Sequence, residues 1–112
     1  MVRGVTLAAA CWRAIGIGAD ADGPHILHWS DAGAASWYDF AVAIGELGVE
    51  LGLLERAAKV TPLTTADYPT PAQRPSYSLL DCTTSRAALG LEPLHWREAL
   101  AEVLRCMAAA HP

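Results

Sequence analysis

Lysine is almost missing from this chain of 112 residues. Lys59 is the only lysine, and the seven arginines are scattered along the sequence without forming a run. The formal net charge is −4. Because binding to nucleic acid requires a clustered basic surface, this composition excludes a nucleic-acid-binding module.

Cysteine is also scarce. Cys11, Cys82 and Cys106 are odd in number and show no Cys-x-x-Cys spacing, which argues against a disulfide framework and a clustered metal site. We expect reduced thiols in a cytoplasmic protein without a bound metal. No apolar run approaches the ~20 residues of a membrane span. The apolar stretch 1–11 is short for an export signal and Arg13 follows it, so we expect a helix there.

What is present is mostly apolar: 53% of the residues are hydrophobic and 18% are charged. Such a chain can bury a core and is too apolar to be disordered. We expect residues 1–112 to form one domain of the α+β class, mainly α. The predicted elements are a helix at 5–17, a strand at 25–29, a helix at 36–51, strands at 59–64 and 77–80, a helix capped by Thr83 or Thr84 that ends at Gly90, and a last helix opened by Pro93. These amount to four helices and two or three short strands.

Local patterns support the helices. Ser36 and Asp39 have the spacing of a capping box at a helix start. In each long helix, apolar residues recur every three to four positions. The stripes are Val5, Ala8, Ala9, Trp12 and Ile15; then Trp37, Phe40, Ala41, Ile44, Leu47 and Leu51; then Trp96, Ala99, Leu100, Val103, Leu104 and Met107. The pattern Gly16-x-Gly18 resembles a dinucleotide fingerprint, but it ends a helix instead of following a strand, so we expect no cofactor site there.

Residues 64–81, which we call the proline segment, are the most unusual stretch. Pro69, Pro71 and Pro75 fix their own φ angles and push the preceding residues into extended conformations. A stiff, extended segment can hold a ligand with little ordering cost. The alternative is a rigid connector between two helical regions.

The proline segment, read as Thr-Ala-Asp-Tyr-Pro-Thr-Pro-Ala-x-Arg-Pro-x-Tyr-Ser-x-Leu-Asp at 65–81, resembles the late signature of the dTDP-4-dehydrorhamnose reductases. These are extended short-chain reductases that use NADPH. His25–Phe40 and Leu91–Leu100 resemble neighbouring parts of the same family. The resemblance covers about residues 5 to 107 and corresponds to the C-terminal, substrate-binding region, whose fold we expect this chain to share.

The resemblance implies a nucleotide-sugar site that includes Arg74, Tyr68, Pro75, Ser76 and Trp37. The planar guanidinium of Arg74 can bind a diphosphate through two hydrogen bonds. Three of these assignments have a structural alternative, which is a surface salt bridge to Asp67 or Asp81 for Arg74, packing under the prolines for Tyr68, and a place in the core for Trp37.

The family's catalytic pair is missing. Short-chain reductases donate a proton from a tyrosine whose pKa is lowered by a lysine four residues later. The residues at that spacing after Tyr38, Tyr68 and Tyr77 are valine, alanine and aspartate. We therefore expect no catalytic residue and no cofactor in this chain, since the NADPH of the family belongs to the domain that has no counterpart here.

Three functional hypotheses follow. The first is a non-catalytic domain that binds a dTDP-sugar or a partner protein. The second is the C-terminal part of a split NADPH-dependent reductase whose nucleotide-binding domain is a separate polypeptide. The third is a regulatory subunit of another enzyme. A homodimer that buries the first helix or the Trp37 helix is expected, because an intact reductase would cover an apolar side of this region.

Overall fold

The computed structural model describes residues 3–18, 26–63, 66–67, 70–72, 75 and 77–110. Within them the chain is mainly helical, with four α-helices: α1 (Gly4–Gly18), α2 (Trp37–Glu50), α3 (Thr83–Leu89) and α4 (Trp96–Ala110). All four predicted helices are confirmed. The last one begins three residues after Pro93 and continues to Ala110. None of the described helices is long and apolar enough to cross a membrane.

The predicted strands are not confirmed. Residues 26–29, 59–63 and 77–80 form no strand, while His25 and Thr64 lie outside the described residues. The one backbone bridge in the described part of the chain joins Ala32 to His95 in parallel orientation. A short extended run becomes a strand only when a neighbouring run pairs with it, and Pro62 has no N–H to donate.

The chain forms two compact units, Met1–Ala34 with Leu79–Ala99 and Ala35–Ser78 with Leu100–Pro112. The description of residues 1–112 as one substrate-binding domain stays a prediction. In the first unit α1 packs on α3, and the guanidinium of Arg13 donates from Nη1 to the carbonyl oxygen of Leu89 at 3.3 Å. The buried residues of this unit are Ala10, Asp31, Cys82, Ser85, Leu89, Trp96 and Ala99.

The apolar stripe of α1 faces outward. Val5, Trp12 and Ile15 are 72%, 78% and 70% exposed, whereas Ala10 is buried. Periodicity identifies which residues share a helix face, but it does not say which face the rest of the chain covers.

The start of α2 is the capping box that the sequence predicts. The Ser36 hydroxyl accepts from the amide of Asp39 at 3.0 Å, and the Asp39 carboxylate accepts from the amide of Ser36 at 2.9 Å. At the other end, Gly52 adopts a φ of +76°, and the amide of Leu53 donates to the carbonyl oxygen of Gly48 at 2.8 Å. This is the left-handed helix stop that glycine favours.

The second unit buries only part of the α2 stripe. Leu47 packs with Ala101 and Leu104, and Leu51, Leu53 and Leu100 lie against this cluster. Trp37 stays outside it at 84% exposure. Glycines inside the helix are explained by close packing, because a Cβ at Gly45 would lie 2.9 Å from that of Ala57, and one at Gly48 would lie 2.9 Å from Leu54 Cδ1.

We expect Ser36→Ala to lower the free energy of unfolding by about 1 kcal/mol, within the ~0.5–2 kcal/mol range of N-cap losses. The substitution removes the acceptor for the Asp39 amide. Chemical denaturation followed by circular dichroism measures the change. Ser78→Ala, at an exposed position outside the helices, is the matched control, and an equal loss in both variants would contradict a capping role.

Candidate functional site

The described residues of the proline segment are exposed and locally ordered by their own hydrogen bonds. Ala66 and Asp67 form a turn, and the Thr70 hydroxyl donates to the carbonyl oxygen of Ala72 at 2.9 Å. Pro75 is exposed and Tyr77 is 76% exposed. The described residues of the segment therefore lie at the surface instead of packing into the core.

Three of the five predicted site residues, Arg74, Tyr68 and Ser76, lie outside the described residues. Their roles in sugar or diphosphate binding stay predictions. The other two, Pro75 and Trp37, belong to the second unit, and both are exposed.

Trp37 does not occupy the core, so the structural alternative for this residue is wrong. Its indole is 84% exposed at the first residue of α2. The ring of Phe40 meets it edge-on, with centroids 6.0 Å apart and planes at 70°. This contact restrains the indole while leaving most of its surface open to a ligand ring.

The start of α3 contains a polar contact that the sequence patterns did not identify. Neither Thr83 nor Thr84 caps this helix with its side chain; the N-cap position is Cys82. Instead, Oδ1 of Asp81 accepts from the Thr83 hydroxyl at 2.7 Å and from the Thr83 amide at 3.1 Å. These two hydrogen bonds, the hydroxyl first, lower the pKa of Asp81 below its ordinary value. An aspartate two residues before a threonine is the local signal for such a turn.

A second group of polar residues lies in the first unit and is structural in character. The Ser30 hydroxyl donates to the carbonyl oxygen of Asp31 at 3.3 Å and lies 3.5 Å from Cys82 Sγ. The backbone amide of His28 donates to the Ser85 hydroxyl at 2.9 Å. These contacts use the hydroxyls to satisfy backbone and thiol groups. They do not align a serine with a histidine as a nucleophile requires.

The described residues contain neither grouped metal ligands nor a dinucleotide fingerprint. Among them there is no group of three His, Cys, Asp or Glu side chains that could hold a metal ion. Gly16 and Gly18 lie in the last turn of α1, not at the start of a helix as a dinucleotide fingerprint demands.

Comparison with known proteins identifies the family. The model of the RmlD substrate binding domain matches residues 3–109. The chain belongs to the RmlD substrate binding domain family. The predicted resemblance to the substrate-binding region of dTDP-4-dehydrorhamnose reductase is thereby confirmed.

Several known proteins are similar to the chain. It is 44% identical over 78 residues to a dTDP-4-dehydrorhamnose reductase of Aggregatibacter actinomycetemcomitans. The aligned residues are 70% of this chain and 26% of that relative. It is 42% identical over 83 residues to the spore coat polysaccharide biosynthesis protein SpsK of Bacillus subtilis, with 73% and 26% covered. A probable dTDP-4,6-dihydroxy-2-methyloxan-3-one 4-ketoreductase of Streptomyces antibioticus is 39% identical over 102 residues, with 89% and 32% covered.

The RmlD-type chain spans about a quarter of the length of the first two of these relatives. No solved structure is significantly similar to it.

We expect Asp81→Ala to lower the melting temperature of this RmlD-type domain, because the start of α3 loses its acceptor. The pKa of Asp81 is lowered in the folded state, so its stabilisation is complete above the ordinary value of 3.8 and is lost as the pH falls through the lower, folded-state pKa. The difference in melting temperature between the two proteins should therefore be constant near neutral pH and shrink below pH 3.8.

Thermal unfolding between acidic and neutral pH measures this difference. Glu92→Ala removes the same charge from an exposed position of the same unit and is the control. A difference that does not change on acidification would contradict the role given to the ionised Asp81.

Proposed function

We propose that this chain binds a nucleotide-sugar of the dTDP type and has no catalytic activity of its own. The observation that carries the proposal is the family match over residues 3–109 in a sequence that lacks the reductase tyrosine–lysine pair. Two relatives are named for reactions of dTDP-linked sugars. The part of the family that this chain represents is named for substrate binding.

The chemistry of the ligand suits the exposed groups of the second unit. A dTDP-sugar has a flat base, a diphosphate and a sugar ring. Trp37 and Tyr77 present aromatic surfaces that are 84% and 76% exposed, and such surfaces stack on bases and on the apolar faces of sugars. Pro75 has an exposed ring on the same segment as Tyr77.

Arg74 is the proposed partner of the diphosphate. Its guanidinium can donate two parallel hydrogen bonds to phosphate oxygens, a geometry that lysine cannot reproduce. Because a proline disfavours the α region for the residue before it, we expect Pro75 to favour an extended backbone at Arg74, which would reduce the ordering cost of binding. Tyr68 completes the proposed site by stacking on the base or the sugar, and Ser76 by hydrogen-bonding through its hydroxyl.

We expect Arg74→Ala to weaken the binding of dTDP-rhamnose by about 10- to 150-fold, because a charge-assisted hydrogen bond contributes roughly 1.5–3 kcal/mol. Isothermal titration calorimetry measures the dissociation constant. Arg56→Ala, which removes the same charge from an exposed position of the same unit, should bind like the unmodified chain. Equal weakening in both variants would show that only general electrostatics matter, and an unaffected Arg74→Ala would remove Arg74 from the site.

A second function is supported by the small share of each relative's length that the chain matches. Because it matches about a quarter of proteins named as reductases, it can serve as the substrate-binding part of a split NADPH-dependent enzyme. Mixing the chain with a separately purified NADPH-binding half should then produce loss of NADPH absorbance that depends on the dTDP-sugar substrate. Absence of turnover in every such pairing, with sugar binding retained, would leave the non-catalytic function.

A further inference from the structure

Buried polar atoms without a hydrogen-bond partner are unevenly divided between the two units. In the described residues they include Oδ1 of Asp31, Nε1 of Trp29 and Nε of Arg86, and all three residues belong to the first unit. Within the part of the chain that the structure describes, no residue of the second unit has such an atom. The closed first unit therefore contains polar groups that water would satisfy better.

Asp31 is the costliest of these groups to enclose. The residue is 5% exposed, and no donor among the described residues reaches its Oδ1. A carboxylate that moves from water into protein without a donor loses its hydration and gains no hydrogen bond in return. Asp31 therefore favours any state of the unit in which water reaches this oxygen.

The first helix is attached to the unit through small side chains. Among the described side chains of α1, Ala10 is the buried one, and Thr6 and Ala14, four residues away on the same helix face, are half-buried. Because these three side chains contain few carbon atoms, their burial removes little apolar area from water. The contact of α1 with α3 therefore has a small hydrophobic contribution.

A long-range hydrogen bond adds to this contact. Nη1 of Arg13 donates to the carbonyl oxygen of Leu89 at 3.3 Å, and Leu89 is the last residue of α3. A cation is favoured at the C-terminal end of a helix by the helix dipole. A Cβ at Gly90 would lie 3.7 Å from the same Nη1, so the guanidinium lies close to the end of the helix. Arg13 thus stabilises the closed arrangement of α1 and α3.

The second unit has a core of larger side chains. Leu47, Ala101 and Leu104 are buried together, and three further leucines pack against them, namely Leu51, Leu53 and Leu100. A buried leucine removes more apolar area from water than a buried alanine or threonine. We therefore expect the second unit to stay folded under conditions in which the first unit opens.

We propose that the first unit opens and closes cooperatively while the second unit stays folded. Opening separates α1 from α3 and admits water to Asp31. Arg13 favours the closed state, and Asp31 favours the open state. Segments with little buried apolar area are the ones that open below the free energy of global unfolding. Cys82, which is 3% exposed in the closed unit, becomes accessible in the open one.

Thiol labelling of Cys82 measures this opening. In a background with Cys11→Ser and Cys106→Ser, which removes the two exposed thiols, an aromatic disulfide reagent reacts with Cys82 when the unit is open. The labelling rate should depend weakly on urea at low concentrations, because opening exposes only part of the chain. Amide hydrogen exchange of α2, followed by mass spectrometry, should be slower and should show the steep urea dependence of global unfolding.

Two substitutions with opposite effects test the residues that control the opening. Arg13→Ala should raise the labelling rate of Cys82 about 3- to 10-fold, because the hydrogen bond to Leu89 is lost. Asp31→Asn should lower the rate at least about threefold, because the buried group no longer carries a charge. Arg105→Ala and Glu92→Gln remove the same charges from exposed positions. These controls should leave the rate within about twofold.

Exchange of the α2 amides separates an effect on the first unit from an effect on the whole chain, and it should be the same in all four variants. Labelling of Cys82 with the urea dependence of global unfolding would overturn the proposal. Labelling of Asp31→Asn as fast as that of the parent chain, or an unchanged rate in Arg13→Ala, would overturn it as well. An Arg13→Ala chain that loses α2 along with α1 would contradict the independence of the second unit.

Discussion

A two-way backbone contact at Ala32 organises the first unit. The amide of Ala32 donates to the carbonyl oxygen of Leu94 at 2.8 Å, and its own carbonyl accepts from the amide of Trp96 at 2.9 Å. This exchange fixes the start of α4 beside residues 26–33. The next residue, Gly33, has a φ of +86°, and a Cβ there would lie 2.5 Å from Nε2 of His95. Glycine is therefore needed for its backbone conformation and for the close approach of the imidazole.

His95 connects this contact to the helix itself. Its Nδ1 accepts from the amide of Arg97 at 3.2 Å, which satisfies one of the free amides at the start of α4. Its ring also lies 5.5 Å from that of Trp96, a residue that is 8% exposed. Leu94 and Trp96 thus pair their backbone with Ala32, while the His95 side chain caps the helix and packs on the buried tryptophan. The beginning of α4 therefore depends on several contacts that reinforce one another.

The sequence was sufficient for some features that are decided locally. The capping box at Ser36 and the glycine stop at Gly90 depend on residues a few positions apart, and both form. The predicted cap of α3 was wrong, because Cys82, and neither Thr83 nor Thr84, holds the N-cap position. The strand predictions failed because strands need partners distant in sequence, and only Ala32 and His95 pair in the described residues. Sequence patterns also could not predict that the α1 stripe faces outward. The spacing that places Val5 and Trp12 on one helix face does not show whether the rest of the chain covers that face.

For the candidate site, the resemblance and the periodicity led to different expectations for Trp37. The resemblance implied a binding residue and periodicity favoured a core position, and the structure leaves this tryptophan 84% exposed. The contact between Asp81 and Thr83 shows what short-range reasoning overlooked: a carboxylate just outside a helix can satisfy the first amide when the residue at the N-cap, here Cys82, cannot.

The central claim is that the chain recognises an activated sugar while lacking both the hydride source and the proton donor of a reductase. Two-dimensional NMR of the four tryptophan indoles, with dTDP-rhamnose and NADPH added in separate titrations, tests it most directly. The account predicts that the dTDP-sugar shifts the indole signal of Trp37 and leaves that of the buried Trp96 in place, and that NADPH shifts neither. Saturable shifts with NADPH, or no response of Trp37 to the dTDP-sugar, would contradict it.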